Sequence, residues 1–416
     1  MLPAKLVAEI EAQRALLRTR AGRALAAGLG ALALVTAVGL AVLWPGDANL
    51  RRDGTTFISR GIVPAEVTAV IAQSCPVETS PGCKRVNIRV EGGLEKGKSS
   101  YLMMPGDDAT PRLSPGDSIR VAPNIQSYGD VSPDQATADP SQAPYGYVDF
   151  ERRSPLLLLA LGFAALVIVL GRRVGLLSLV GLVLGLVTVT AFVVPAILDG
   201  SSPFAVGLVG SFAAMFATIV LVYGVGAKSL ASLLGTAVSL IVTAVLALIF
   251  VKLAHITGTE GDQATFLRSL TNGRISLQGL VLAGILIGAL GVLNDVTVGQ
   301  ASTVLALRRA NPAQGLRELY RGGVTVGRDH LGATVNTLAF AYAGASLPLL
   351  LLFNSQAVGF GDAVNSELVA TEIVAALVGS IGLVLAVPLT TLTAALLAVR
   401  LPDEVLPSDV HAGHGH

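Results

Sequence analysis

The sequence predicts an all-α polytopic membrane bundle of about eight transmembrane helices, with a small extracytoplasmic β-barrel or β-sandwich domain inserted after the first helix. Three observations lead there. The 416 residues are 52% hydrophobic and only 14% charged, with a mean hydropathy of +0.68, which is unlike a soluble domain. Several stretches carry no charge over more than about 18 residues, the length a helix needs to cross a hydrocarbon core of roughly 30 Å. Between the first and second of these, part of residues 45–153 alternates apolar and polar in the manner of half-buried strands.

The elements follow in order. Residues 1–23 form a basic tail carrying Lys5, Arg14, Arg18, Arg20 and Arg23, and 24–44 form the first span. A cleaved signal peptide would have a shorter apolar core and a small-residue cleavage site, whereas this stretch ends in Leu43-Trp44-Pro45-Gly46 and reads as a retained anchor. Residues 45–123 are assigned to the β-rich domain, 124–153 to a linker rich in Pro, Asp, Ser and Gln, and 154–400 to a seven-helix membrane domain. Residues 401–416 are a short tail. Within the membrane domain the spans are expected at 154–170, 174–198, 201–227, 229–251, 275 to about 294, 331–353 and 373–399.

Lys and Arg orient the chain. One side holds the N-terminal tail, Arg172, Arg173, Lys228, Arg308, Arg309, Arg317, Arg321, Arg328 and Arg400; the short loops on the other side hold Lys252, Arg268 and Arg274. The richer side should be cytoplasmic. Both termini then face the cytoplasm, the β-rich domain lies outside, and a plasma-membrane location is expected. The basic residues follow the membrane and form no patch, so no nucleic-acid partner is expected. The lipid bilayer, a small solute or ion, a second copy of the chain and an extracytoplasmic protein are the partners to consider.

In the β-rich domain, Val86, Ile88 and Val90 alternate with Arg85, Asn87 and Arg89, and Pro81-Gly82, Gly92-Gly93, Pro105-Gly106 and Pro115-Gly116 supply the turns. Cys75 and Cys83 both fall here, where an oxidising compartment permits a structural disulfide, with free thiols as the alternative. Zinc is disfavoured because no His lies between residues 45 and 153 and two thiolates do not complete a tetrahedral site. Gly92 to Ser99 satisfies the G-x-x-x-x-G-K-[ST] spacing of a phosphate-binding loop. That loop needs a helix N-terminus behind it, and Ser100 to Met104 is strand-like, so a hairpin turn is expected.

Polar residues inside spans are costly, about 2.5–3.5 kcal/mol for a carboxylate at a helix centre on insertion scales. The sixth span places Gly284, Gly288, Gly291 and Asp295 on one face, against which another helix can pack. Asn294, Thr297 and Gln300 follow the same polar trend. The seventh begins at Asp329-His330 and carries Asn336 and Thr337; the eighth carries Thr390, Thr391 and Thr393 after Pro388. Three polar clusters from three helices therefore reach a similar depth, either as a polar cavity open to the cytoplasm or as interfacial residues meeting headgroups. Asp329 and His330 also read as a helix cap. Lys252 and His255 read as snorkelling residues, Glu372 as a complement to a helix dipole, and His411, His414 and His416 as a flexible tail that metal can visit but does not require. No cofactor is expected, and no nucleophile with a base or ligand-spaced His/Cys set argues for an enzyme.

The blocks Gly291-Val292-Leu293-Asn294-Asp295-Val296-Thr297-Val298, Gly327 to Thr337 and Gly379 to Thr391 resemble those of the YibE/F family of bacterial membrane proteins. Tyr147 to Arg152 is similar too. Asn294 departs from the pattern, since the resemblance implies a second acid there. A weaker likeness extends to SecD/SecF and resistance-nodulation-division permeases, which place an anchor helix, an outside domain and a helical bundle in the same order. The resemblance implies the architecture; the family carries no established activity. Two functions remain open: a proton-driven secondary transporter or permease with Asp295 as the coupling carboxylate, or a non-transporting accessory or assembly protein whose β-domain binds a partner.

Overall fold

The structure is a computed structural model that describes residues 20–46, 61–73, 83–106, 110–124, 143–355 and 358–400. It divides into two compact units, one of residues 53–166 and one of residues 1–52 with 167–416.

The first unit is built on five strands, β1 (Val63–Gln73), β2 (Cys83–Val90), β3 (Ser99–Pro105), β4 (Ser118–Pro123) and β5 (Tyr145–Phe150). They close into a barrel in the order β1-β2-β3-β5-β4, the five-stranded Greek-key arrangement of an OB-type barrel. Alternation sends Ala65, Val67, Val86, Ile88, Val90, Leu102, Ile119 and Val121 inward as a common core. The seam is thinnest between β3 and β5, where the single parallel pair is Leu102 with Tyr145. β5 corrects the expected linker 124–153: its last residues pair with β4 from Ile119 to Pro123 and complete the barrel. Cys83, the first residue of β2, is buried and disulfide-bonded; Cys75 lies outside the described residues.

The stretch resembling a phosphate-binding loop is a turn leading directly into β3. Tyr145 Oη donates to Glu95 Oε2 at 2.6 Å and ties that turn to the start of β5. This bond, aided by the neighbouring Lys98 charge, holds the Glu95 carboxyl below the usual carboxylate range against a smaller opposing effect of burial.

The remaining elements are helices: α1 (Arg20–Val42), α2 (Arg153–Val187), a π-helical turn (Thr188–Val193), α3 (Val194–Leu198), α4 (Pro203–Tyr223), α5 (Ala227–Leu253), α6 (Asp262–Leu270), α7 (Leu277–Ala310), α8 (Leu316–Ala345), α9 (Leu347–Ser355), α10 (Phe360–Asn365) and α11 (Glu367–Ala398). Among the described residues six helices are long and apolar enough to cross a membrane, or seven when α8 and α9, bent by 57°, count as one span. The stretch Arg153–Leu198 enters that count once. Arg172 breaks it, with φ 49 and ψ −126. Gly175 lies so close to the Val167 carbonyl that a Cβ would collide with it. Eight residues of continuous helix would separate those positions by about 12 Å, so the chain turns back at Arg172.

α5, α7 and α11 form the centre of the helical unit, with α4 and α8 flanking α7. Lipid tails are as apolar as Leu, so hydrophobicity gives helices no reason to associate there, and close backbone approach through small residues does. Gly235 of α5 meets Thr390 of α11 and, two turns away, Gly382 of α11 meets Thr243 of α5, each too closely to admit a Cβ. Gly207 of α4 meets Ala283 of α7 in the same way, with 2.7 Å from its ideal Cβ to the alanine Cβ. α1 packs along α4 and α5, and its end is fixed by Gly46 N donating to Asp199 Oδ2 at 3.0 Å and by Trp44 beside Phe192.

Gly235→Val should cost about 1–3 kcal/mol through overpacking of this seam, whereas Gly284→Ala, with open space around it inside a helix, should cost nothing and raise stability by about 0.4–1 kcal/mol. Thermal unfolding of the two purified variants in detergent measures the difference.

Candidate functional site

α7 starts at Ser276, whose Oγ accepts from Gly279 N at 3.0 Å, and runs through to Ala310. It does not end near Asn294 as expected. Apolar residues continue to face the bundle at Val298, Val304 and Leu305, and Arg308 and Arg309 complement the C-terminal dipole in the last turn. Asp295 therefore sits in mid-helix.

The strip Gly284, Gly288, Gly291, Asp295 and Gly299 is exposed along α7. Gly284 and Gly291 have nothing within 4 Å of an added Cβ, and Gly288 has only the Tyr342 hydroxyl, at 3.5 Å. The expected close helix packing lies on the other face of α7. There Leu282, Ala283, Leu286, Ala289 and Leu293 are buried.

α8 begins at Leu316, with Glu318 accepting from Gly315 N at 3.0 Å, so Asp329 and His330 lie well inside it and cap nothing. Leu319, Gly323 and Gly327 form a buried stripe at intervals of four, while Arg317, Arg321 and Arg328 are exposed. What reads as a basic loop is thus the first half of an amphipathic helix.

Between α7 and α8 lies a cleft of about 470 Å³ lined by Val292, Asp295, Val296, Gly299, Gln300 and Thr303 of α7, Gly327, His330, Leu331, Ala333, Thr334 and Thr337 of α8, and Val387 of α11. Its floor is rigid. Gln300, 4% exposed, donates through Nε2 to the Gly323 carbonyl at 2.5 Å and to Thr391 Oγ1 at 2.9 Å, joining all three helices. Thr391 Oγ1 in turn donates to the Val387 carbonyl at 2.7 Å. Among the described residues no hydrogen bond or ion pair holds the Asp295 carboxylate.

The three predicted polar clusters thus do not stay together. Asp295, Gln300, His330 and Thr337 line the cleft. Thr297 is fully buried on the opposite side of α7, with its Oγ1 2.6 Å from Thr236 Oγ1 of α5. Thr390 is fully buried against Gly235. Asn294 is half-buried, and its Oδ1 has no partner among the described residues. Asp329 and Asn336 are exposed and lie outside the cleft lining.

The sequence reading missed a stripe on α5, where Ser229, Ser232, Thr236, Ser239 and Thr243 are all buried. Their alternating spacing of three and four is the available signal, since it places small hydroxyl residues along one seam of an apolar helix.

At the opposite end of α5, α7 and α11 the structure is closed. Ile256, fully buried, packs in a cluster with Val251, Leu282, Ile285, Ala375 and Val378. Its carbonyl accepts from Gln278 Nε2 at 2.7 Å. Glu367, the first residue of α11, accepts through Oε1 from Thr257 N at 2.7 Å and from Gly258 N, and both its oxygens accept from Thr257 Oγ1. α11 thus begins before Glu372, which lies one turn further in.

The family model described as YibE/F-like protein matches residues 159–400. No curated protein and no solved structure matches the chain.

Gln300→Ala removes the donor shared by Gly323 and Thr391 and should cost about 1–3 kcal/mol, visible as a fall in the unfolding temperature of the purified protein. Thr303→Val, at the cleft wall, should stay within about 0.5 kcal/mol of wild type in the same measurement.

Proposed function

The chain belongs to the YibE/F-like protein family, and from that premise we propose that it is a proton-driven secondary transporter or permease in which Asp295 is the coupling carboxylate. The observation that carries this reading is the cleft between α7 and α8, where Asp295 stands among Gln300, Thr303, His330, Thr334 and Thr337. Carboxylates within membrane helices are expensive, and those that persist typically mark ion or substrate paths.

The reading places the chain in the plasma membrane with eight crossings, because the turn at Arg172 divides α2 into two legs and the bent pair α8–α9 makes one span. The bias of Lys and Arg puts both termini in the cytoplasm and the barrel outside. On that orientation the cleft opens towards the cytoplasm, and the cluster around Ile256, latched by Glu367, closes the outer end. A site open to one side and closed to the other is what one half of an alternating-access cycle requires, and this arrangement supports the reading.

The test is an accumulation profile of metabolites and metal ions in cells lacking the protein, complemented with wild type or with Asp295→Asn. The expected outcome is at least one solute shifted several-fold and restored only by wild type. Equal restoration by both versions would remove Asp295 from the mechanism, and an unshifted profile would favour the accessory role.

A further inference from the structure

The geometry points to a small organic cation, an ammonium compound carrying apolar groups, as the occupant of the α7–α8 cleft. This deepens the transport reading and rests on it for the use of the site.

The charge of the cleft selects the sign. Among its lining residues Asp295 is the one carboxylate, and neither Lys nor Arg contributes to the wall. Arg328, next to Gly327 in sequence, is exposed and is not part of the lining, and two further basic residues of the helical unit are turned to other groups. Lys228 Nζ lies 3.9 Å from the centroid of the Tyr223 ring, and Arg308 donates through Nη1 to the carbonyls of Pro312 and Gln314. An anion would meet an unopposed carboxylate, and a neutral solute would leave that carboxylate uncompensated while displacing its water.

The size and the wall select the class. A volume of about 470 Å³ falls in the range of small-molecule pockets, roughly 300–1,000 Å³. A bare divalent ion is a poor fit, since calcium takes about six to eight oxygen ligands and magnesium about six. Among the described residues no group of three or more His, Cys, Asp and Glu side chains is placed to hold a metal. Val292, Val296, Leu331 and Val387 instead offer apolar surface in the same lining, while the hydroxyls of Thr303, Thr334 and Thr337 donate to carbonyls of their own helices and leave the His330 imidazole as the other polar side chain beside Asp295 and Gln300. A single negative charge set in a partly apolar wall matches a cation whose charge is spread over, or attached to, carbon.

The experiment uses the full chain in lipid nanodiscs and measures equilibrium binding of tetraethylammonium, choline and benzylammonium, with inorganic phosphate and Mg²⁺ as controls. Saturable binding of at least one ammonium probe is expected, weakened at least tenfold by Asp295→Asn, kept within about threefold by Asp262→Asn on the exposed helix α6, and partly recovered by Asp295→Glu. Absence of binding by all three probes to monodisperse protein, or equal binding by wild type and Asp295→Asn, overturns the proposal. Proton entry into proteoliposomes loaded with a pH-sensitive dye separates the two claims. Asp295-dependent proton entry without ammonium binding removes the cation class and leaves the transport reading. Ammonium binding without proton entry leaves the cation site and removes proton coupling.

Discussion

The helical unit depends on how closely the backbones of α5 and α11 approach one another. In a bilayer there is no water to drive apolar faces together, so association rests on dispersion contacts and on hydrogen bonds between helices. The reciprocal contacts of Gly235 with Thr390 and Gly382 with Thr243 bring α5 and α11 near enough for the dispersion contacts. α7 closes the third side through Thr297, which meets Thr236. Nearly all the small hydroxyl side chains of this seam face inward, where threonine and serine fill little space and can return their hydrogen bonds to their own helix, as Thr243 does to Ser239.

Because α7 spends one face on this core, its other face is left to glycine and to Asp295. α8 does not cover that face along its length. It joins the core at Gly323 and Gly327, and beyond His330 its residues are largely exposed. The cleft is what remains between a helix held on both sides and a helix held at one end. Its floor is the Gln300 node, so the same amide that fastens α8 to the core also forms the base of the site.

The sequence made much of this legible, and the parts it concealed have physical causes. Runs of uncharged residues announce membrane helices because the bilayer imposes a length, and the alternation in Val86 to Val90 announces strands because side chains point to opposite faces every second residue. Asp295, Gln300 and His330 were conspicuous as polar groups near apolar spans. β5 was hidden because the pairing of Tyr145–Phe150 with β4 is made across a long connection that carries no local sign of it. The start of α8 was hidden because three arginines on its exposed face look like a loop when the buried stripe of Leu319, Gly323 and Gly327 is not yet known. The glycine face of α7 was visible as a pattern, but periodicity tells which residues share a face and not what lies opposite.

The junction at Thr257, Gly258 and Glu367 has a kinetic meaning. Three donors, Thr257 N, Thr257 Oγ1 and Gly258 N, converge on the one carboxylate of Glu367, tying the first turn of α11 to the loop after α5. Separating the loop from the helix strips every one of these donors from the same carboxylate, so the barrier to that movement rests on a single side chain rather than being spread along the contact.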